Sequence, residues 1–324
     1  MKASSATRER WDYPRAYSGR MLLALAAAVL LLALTGPRVD LGRLFAATPG
    51  SGGIGTLVGR FFPPHLSETR PIESIQDFDR AQLPPFAHLE QRRVVEERID
   101  RESLALVRTI SMREVLVEPL GYVARVAVKI VETFEIALWG TMLAVLGGLP
   151  LALLSARTTT PHRLIAGIAR MIVGVLRAIP ELVSALLLVA VYGFGPIAGV
   201  LALGIHAAGF LGKFFADDIE NADRKPQDAF AAIGASRLAI WRLAVLPQVL
   251  PGYIGYALYI LDRNLRMATV IGLVGAGGIG QELKGRFDMY EYSRVGTILI
   301  AIFLVVIALD ALSGLVRRRL TGVE

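Results

Sequence analysis

The chain has 324 residues, 54% of them hydrophobic and only 19% charged, with a formal net charge of +7. Several apolar runs reach the roughly 20 residues that a helix needs to cross a membrane, which excludes a soluble globular protein and makes the lipid bilayer its environment. A basic excess in such a chain is typical of cytoplasmic loops, so we expect no nucleic-acid partner. The absence of cysteine excludes disulfides and cysteine metal sites.

The N-terminal part predicts a first membrane helix. Residues 1–20 are polar and basic and are expected to form a cytoplasmic tail, and the apolar run 21–36 is predicted to be the first transmembrane helix. Because this run is short for a span, the core of a cleaved signal peptide is the alternative. In both cases the segment that follows is expected on the outer side of the membrane.

The outer segment, residues 37–129, is the least apolar part of the chain and is broken by Gly and Pro clusters. Its stretch from His88 to Leu120 is rich in charge and predicts an amphipathic helix or helix pair, an insertion between the first two spans. Two interpretations stay open, a platform that docks an extracytoplasmic partner and a solvated decoration. The helical prediction depends on four apolar residues at roughly helical spacing, which are Val95, Ile99, Leu106 and Ile110.

Residues 130–316 predict five more membrane helices. Pro180 interrupts the second of these and predicts a kink. The loop after the first carries Arg and no acid, and residues 317–324 begin with three Arg, so both are expected in the cytoplasm. The predicted fold is an all-α polytopic membrane protein with six transmembrane helices and cytoplasmic termini. The five spans cover about residues 130–155, 170–192, 197–215, 249–274 and 295–315.

The stretch 217–247 is the longest polar interval of the second half, and it predicts two short helices joined by a tight turn. Pro226 fits a first helical position, Gly234 fits the end of that helix, and Ser236 fits the N-cap of the next. The second helix is expected to end before Pro247. This pattern predicts a compact helical element on the cytoplasmic side, between the fourth and fifth spans.

The spacing of this stretch resembles the coupling loop of ABC-importer permeases, although Asp228 replaces the usual Glu, Phe230 the usual Ala, and Ala244 the usual Ile. A solvated helical hairpin is the alternative. The matching residues are Asp228, Ala229, Gly234, Leu246 and Pro247. Further stretches narrow the resemblance, over about residues 130–320, to the permease of phosphonate-type importers, with residues 64–120 as an insertion. They are GTMLAVLGGLPLALLSART, RAIPEL, GVLALGIHAAGFLGKFFADDIE, GASR and ATVIGLVGAGGIGQEL.

The resemblance implies a type I ABC-importer permease in the bacterial plasma (inner) membrane. It implies three kinds of partner, which are a second copy of the permease, two ATPase subunits and an extracytoplasmic binding protein. ATP and Mg²⁺ would be bound by the ATPase, because this chain has no Walker A sequence and needs no cofactor of its own. The implied substrate is a phosphonate or a related phosphorus oxyanion such as phosphite or phosphate. The implied ATPase contacts are Asp228, Ala229, Gly234, Ala235, Ser236, Arg237, Leu246 and Pro247.

Three charged residues in the fifth predicted span are candidates for the substrate path, because ionisable residues inside a membrane rarely face lipid. Arg263 and Arg266 are three apart, so both are expected on one side of the helix, where guanidinium groups suit an anionic phosphonate. The alternative is an internal ion pair with Asp262 that only fixes helix packing. Gly277 belongs to a glycine-rich turn and is expected near an outer gate. Arg177 and Glu181, one helical turn apart, predict a structural pair.

Three other functions are weighed against this interpretation. An importer of another small solute, such as an amino acid, would share the coupling loop. A stand-alone secondary transporter would be expected to have internal repeats, and we find none. A membrane enzyme would need a converging catalytic set, which the sequence lacks. The G-x-G-x-x-G run at 275–280 has no βαβ context and does not indicate a nucleotide site.

Overall fold

The computed structural model describes residues 19–39, 53–72, 83–84, 86–99, 106–160 and 162–321. The chain divides into two compact units between Gly59 and Arg60. The first unit contains α1 (Gly19–Val39), whose apolar part covers the predicted first membrane helix. Of the predicted tails, 1–20 and 317–324, residues 1–18 and 322–324 lie outside the described residues, whereas residues 19–20 and 317–321 are helical.

The rest of the described chain is mainly helical and carries one small sheet. Its elements in chain order are α2 (Gly53–Phe61), β1 (Glu68–Pro71), β2 (His88–Ile99), β3 (Leu106–Glu118), α3 (Gly121–Ser155), α4 (Arg163–Ala178), α5 (Glu181–Tyr192), α6 (Pro196–Asn221), α7 (Arg224–Ala232), α8 (Arg237–Ile240), a π-helical turn (Trp241–Val245), α9 (Leu246–Gly272), α10 (Gly278–Asp288) and α11 (Tyr292–Thr321).

Within the described residues, four helical runs are long and apolar enough to cross a membrane. They are α3, α6, the continuous run from Arg237 to Gly272, and the part of α11 from Tyr292 to Ala311. The bent pair of α4 and α5 is a fifth candidate, and the apolar part of α1 is shorter than the length of about 20 residues that a span needs. The prediction of a multi-pass helical protein is therefore confirmed, whereas the count of six spans stays a prediction.

The core of the second unit is the packing of α3 against α6, which depends on small residues. A Cβ added at Gly140 of α3 would lie 3.0 Å from the Cβ of Leu203, and one added at Gly148 would lie 2.9 Å from the Cβ of Leu211. Glycine at these positions lets the two backbones approach closely, as is usual between membrane helices. This close packing holds α6 in place, and the bent pair of α4 and α5 packs against α6 in turn.

The third predicted span is broken rather than kinked. α4 ends at Ala178, α5 begins at Glu181, and the two helices meet at 87°. Pro180 cannot donate a backbone hydrogen bond, and it disfavours helical backbone at Ile179 before it. The carbonyl oxygen of Ile179 lies 3.0 Å from Nδ1 of His206 on α6, so a neighbouring helix satisfies a backbone group at the break.

The predicted amphipathic helices over His88–Leu120 are wrong, because this stretch forms β-strands. The strands β1, β3 and β2 lie side by side in that order, all antiparallel, and β2 pairs with β3 along its whole length. The stretch is rich in β-branched residues, which favour a pleated surface, and Val115 and Val117 are buried at the base of the hairpin. The fold of the described residues is consequently helical with one small sheet rather than all-α.

The stretch 217–247 contains the predicted helix and turn, but with shifted boundaries. The Asp223 side chain caps α7 by accepting a hydrogen bond from the Lys225 backbone, so Pro226 is the third residue of this helix and not the first. Gly234 follows the helix with a φ of +79°, a conformation that glycine adopts at no steric cost. Ser236 caps α8, as predicted, by accepting from the backbone of Ala239.

The second helix of this stretch does not stop before Pro247. It continues through the π-helical turn into α9, so that one helical run reaches from Arg237 to Gly272. Pro247 lies in the first turn of α9, directly after the π-helical turn, where a missing backbone N–H is tolerated. A movement of α8 would therefore be transmitted directly to the long membrane helix, because no loop separates the two.

Candidate functional site

A buried charged cluster lies where the break between α4 and α5 meets α6 and α9. Nη2 of Arg263 is 2.5 Å from Oε1 of Glu181 and 3.1 Å from Nε2 of His206. The His206 Nε2 is itself 3.0 Å from the same carboxylate oxygen, and the side chains of Glu181 and His206 are only 5% and 7% exposed. Buried charges of this kind persist only when they are paired and hydrogen-bonded, so the three side chains act as one unit.

The position of His206 links this cluster to the helix break. The Ile179 carbonyl can only accept a hydrogen bond, so Nδ1 of His206 must carry a proton and donate to it. Nε2 can then accept from Arg263 when the ring is neutral, or donate to Glu181 when the ring is doubly protonated. One side chain on α6 thereby connects the end of α4, the start of α5 and the middle of α9.

Phe210, one turn along α6, has two guanidinium groups around its ring. The Cζ atoms of Arg177 and Arg263 each lie 4.7 Å from the centroid of this ring, within the range of a cation–π interaction. Arg177 is exposed, and within the described residues no carboxylate lies at ion-pair distance from it. Its stem passes Gly209, where an added Cβ would lie 2.9 Å from the Arg177 Cγ.

Arg266 lies in a different environment, and the expectation that Arg263 and Arg266 share one side of the helix is wrong. Arg266 forms an ion pair with Asp262 one turn earlier and a second with Asp310 of α11, at 3.1 Å. Arg263 instead points to the bent pair and α6. The two arginines are therefore divided between two neighbours of α9, and Arg266 is neutralised by two carboxylates.

The predicted structural pair between Arg177 and Glu181 is also absent. The two residues are four apart, but the helix breaks between them, so the usual one-turn spacing does not hold. Glu181 pairs with Arg263 instead, and Arg177 contacts Phe210. Because Glu181 pairs with Arg263 and not with Arg177, Arg177 is a surplus cation beside the Glu181–Arg263 ion pair.

The residues predicted to contact an ATPase lie at the end of the helices opposite to the sheet. Asp228, Ala229 and Gly234 are exposed, and no residue of α7 is buried. Ser236, Arg237 and Pro247 are exposed as well, and Ala235 and Leu246 are half-buried. Two large apolar side chains flank the turn in the open, Ile233 at 77% and Leu238 at 74% exposure. This surface can accept a partner, and a hydrogen bond from Asp223 N to Gln248 Oε1 ties it to α9.

Gly277 is a buried residue of the turn between α9 and α10, with a φ of +87°. A Cβ added there would lie 3.1 Å from both Glu132 Oε1 and Pro196 Cα. The next residue, Gly278, donates its backbone N–H to Glu132 at 2.9 Å, so α3 caps α10. The turn connects two helices at the same end as the sheet, and a role for Gly277 in an outer gate stays a prediction.

An ionic cluster at the same end joins α10 to α11. Glu291 accepts hydrogen bonds at 2.9 Å from Arg286 and from Arg294. Burial acts to raise the pKa of Glu291, but the hydrogen bonds from Arg286 and Arg294 and their positive charges together outweigh it and hold the pKa below its ordinary value. The carboxylate therefore stays ionised and fixes the connection between the two helices.

Sequence reasoning missed two residues of the charged cluster, His206 and Phe210. The sequence alone predicts no role for either residue. The available signal was the position of His206 near the middle of a predicted span, since ionisable residues inside membranes are functional candidates. Its partners could not be derived, because they depend on where the chain breaks at Pro180.

The sequence model of the family described as binding-protein-dependent transport system inner membrane component matches residues 148–322, more than half of the chain. The chain belongs to this family. It is therefore a membrane permease and not an enzyme. The permease is 54% identical over 259 residues to the putative phosphite transport system permease protein HtxE of Stutzerimonas stutzeri, a match that covers 80% of this chain and 99% of that protein.

A second relative is the phosphite transport system permease protein PtxC of Stutzerimonas stutzeri, 43% identical over 58% of this chain and 69% of that protein. The relationship to permeases of phosphonate-type ABC importers is thus confirmed. Among solved structures, an inward-facing MetNI methionine ABC transporter is similar with a TM-score of 0.53 and 22% identity, over 60% of this chain and 96% of that one. This likeness establishes the fold of an ABC-importer permease.

Proposed function

We propose that this permease imports a phosphorus oxyanion, which is phosphite, a phosphonate or phosphate, across the bacterial plasma membrane. The observation that carries this assignment is the 54% identity along nearly the whole of a relative named for phosphite transport. The charged cluster supports an anionic substrate, because guanidinium groups form fork-shaped hydrogen bonds to tetrahedral oxyanions. Of the predicted substrate-path residues, Arg263 is kept and Arg266 with Asp262 becomes a packing element.

The proposed assembly is a homodimer with its pathway on the two-fold axis, two ATPase subunits that hold ATP and Mg²⁺, and one binding protein. One permease offers one coupling element, so two copies are needed for an ATPase dimer. The exposed apolar pair Ile233 and Leu238 supports docking around Gly234. The coupling residues remain those proposed from the sequence, over Asp228–Arg237 with Leu246 and Pro247.

The proposed topology counts α1 and the bent pair as spans, which gives six spans with both termini in the cytoplasm. From α3 onward the described contacts support this order of spans, because helix ends group into two sets. At one end the Gly195 N–H donates to Gly275 O at 3.0 Å. At the other, the N–H of Arg157, just after α3, donates to Glu220 near the end of α6 at 2.8 Å. The first set, with the sheet and the Glu291 cluster, is proposed as the outer surface that the binding protein contacts.

Reconstitution tests the proposed function. The permease is placed in liposomes with the ATPase and binding protein encoded by neighbouring genes, and uptake of radiolabelled phosphite is measured with ATP inside. We expect uptake that depends on ATP and on the binding protein, and competition by phosphate or methylphosphonate but not by methionine. Accumulation of an amino acid with no uptake of these oxyanions would favour the importer of another small solute instead.

A further inference from the structure

We propose that Arg177, together with Arg263, forms a transient binding site for one phosphorus oxyanion halfway along the transport path. This inference rests on the proposed function and assigns the anion a place in it. The site is centred on Phe210 of α6, whose ring contacts both guanidinium groups. Arg177 supplies the surplus charge, and Arg263 supplies a second, pre-oriented donor.

The Arg177 side chain lies at about the middle of the membrane-spanning helix α6. It packs beside Gly209 and Phe210, which lie near the middle of α6. Arg177 is exposed there, and the described part of the chain offers it no carboxylate. A cation held at this depth against lipid would cost several kcal/mol by most estimates, so such a residue faces a water-filled path or a partner copy. Its missing counter-ion is the transported anion.

The geometry of the two guanidinium groups gives the second step. Both Cζ atoms lie 4.7 Å from the same ring centroid, so they are separated by at most twice that distance. A tetrahedral oxyanion presents oxygens in several directions and can accept hydrogen bonds from two guanidinium groups together. Arg263 uses only Nη2 for Glu181 and His206, and a guanidinium group has five N–H donors, so it retains donors for a ligand.

The charge balance of the cluster gives the third step. Glu181 compensates Arg263, which leaves Arg177 as an arginine of the cluster without a paired carboxylate among the described residues. Because only one positive charge is in surplus, the anion is held by hydrogen bonds from two guanidinium groups but by a net charge of only one, which keeps its release possible. The ring of Phe210 supports the empty state, because it stabilises both cations while no anion is present. Arg266, held between Asp262 and Asp310, has no such surplus.

The test uses the complete importer in liposomes with phosphite as the probe. Arg177→Ala is expected to lower the initial uptake rate about tenfold or more, the loss of a hydrogen bond to a charged group. Arg177→Lys is expected to recover part of the rate, because it restores the charge without the fork. Arg163→Ala, at the inner end of the same helix, is the matched control and should transport at the wild-type rate. Arg177→Lys keeps a cation near the Phe210 ring and a long stem beside Gly209, so its unfolding temperature should equal that of the wild type although its uptake rate does not, a difference that a packing role would not give. ATP hydrolysis stimulated by the binding protein should stay unchanged in both variants.

Two results would overturn the inference. One is wild-type uptake by Arg177→Ala, and the other is a loss of uptake that occurs together with lost stability and is not recovered by Lys. Failure of the proposed function is recognised separately, since the wild-type importer itself would then take up no phosphite, phosphate or methylphosphonate. The comparison of variants therefore tests the site, and the wild-type assay tests the substrate class.

Discussion

The two arginines of α9 show how differently two residues three positions apart can be used. Arg266 lies between two carboxylates, one on its own helix and one on α11. Arg263 enters a buried cluster with Glu181 and His206 and shares an aromatic ring with Arg177. The first side of α9 has two acidic groups around one arginine, whereas the second carries a surplus cation. Spacing along a helix therefore does not decide function here, and the elements packed against the helix do.

The largest expected effect comes from removing the acid on the second side. Glu181→Ala should destabilise the permease by about 3 kcal/mol, because it leaves the half-buried Arg263 without its counter-ion and the buried His206 without a neighbouring carboxylate. Asp310→Ala is the matched control on the first side. It should cost about 0–1 kcal/mol, since Asp310 is half exposed and Arg266 keeps Asp262. Unfolding in detergent micelles measures both values, and equal costs would remove the distinction between the two sides.

A smaller effect is expected from changing the arginines themselves. Arg263→Lys should lower phosphite uptake about tenfold, because an ammonium group lacks the planar contact to Phe210 and the further N–H donors that Arg263 has left for the anion. Arg266→Lys should stay within about twofold of the wild type, because its role is the charge between two carboxylates. Initial uptake rates in liposomes compare the pair. A larger loss in Arg266→Lys than in Arg263→Lys would place the path on the other side of α9.

The smallest expected effect concerns the turn between α7 and α8, which lies far from the charged residues of α9. Gly234→Val should lower ATP hydrolysis stimulated by the binding protein severalfold, since a β-branched residue at a φ of +79° strains the turn by about 1–2 kcal/mol. Gly234→Asn should retain most of the activity, because Asn tolerates this conformation. A Cβ added at Gly234 meets no atom of the permease within 4 Å, so the expected loss does not come from crowding of the Cβ within this chain. Equal activity in the two variants would exclude backbone strain as the reason.

The helical spans and several helix ends could be predicted from the sequence, because long apolar runs, glycine and proline determine the local backbone structure directly. Gly234 and Ser236 have the conformation and the cap that their residue types predict. The ion pairs could not be predicted in this way. The partner of Glu181 is 82 positions away along the chain, and it is chosen only after Pro180 has broken the helix.

The outer sheet was missed for a related reason. Val95 and Ile110, assigned to one face of a helix, are cross-strand partners in the structure. Apolar residues at loose spacing fit either element, and the decision falls to tertiary pairing, here of β3 with both β1 and β2. Sequence periodicity is therefore most reliable where the chain is long and apolar, as in α3, and least reliable in the charge-rich outer segment.

The most direct test asks which side of α9 contacts water. The chain has no native cysteine, so single cysteines can be placed at Gly174, three residues before Arg177, and at Ile307, three before Asp310. An added Cβ meets no atom within 4 Å at Gly174, and Ile307 is 61% exposed. In the complete importer, a charged, membrane-impermeant thiol reagent should modify Gly174→Cys, more slowly with phosphite present, and should leave Ile307→Cys unmodified. The account would be contradicted if, without phosphite, the reagent modified Ile307→Cys and left Gly174→Cys unmodified.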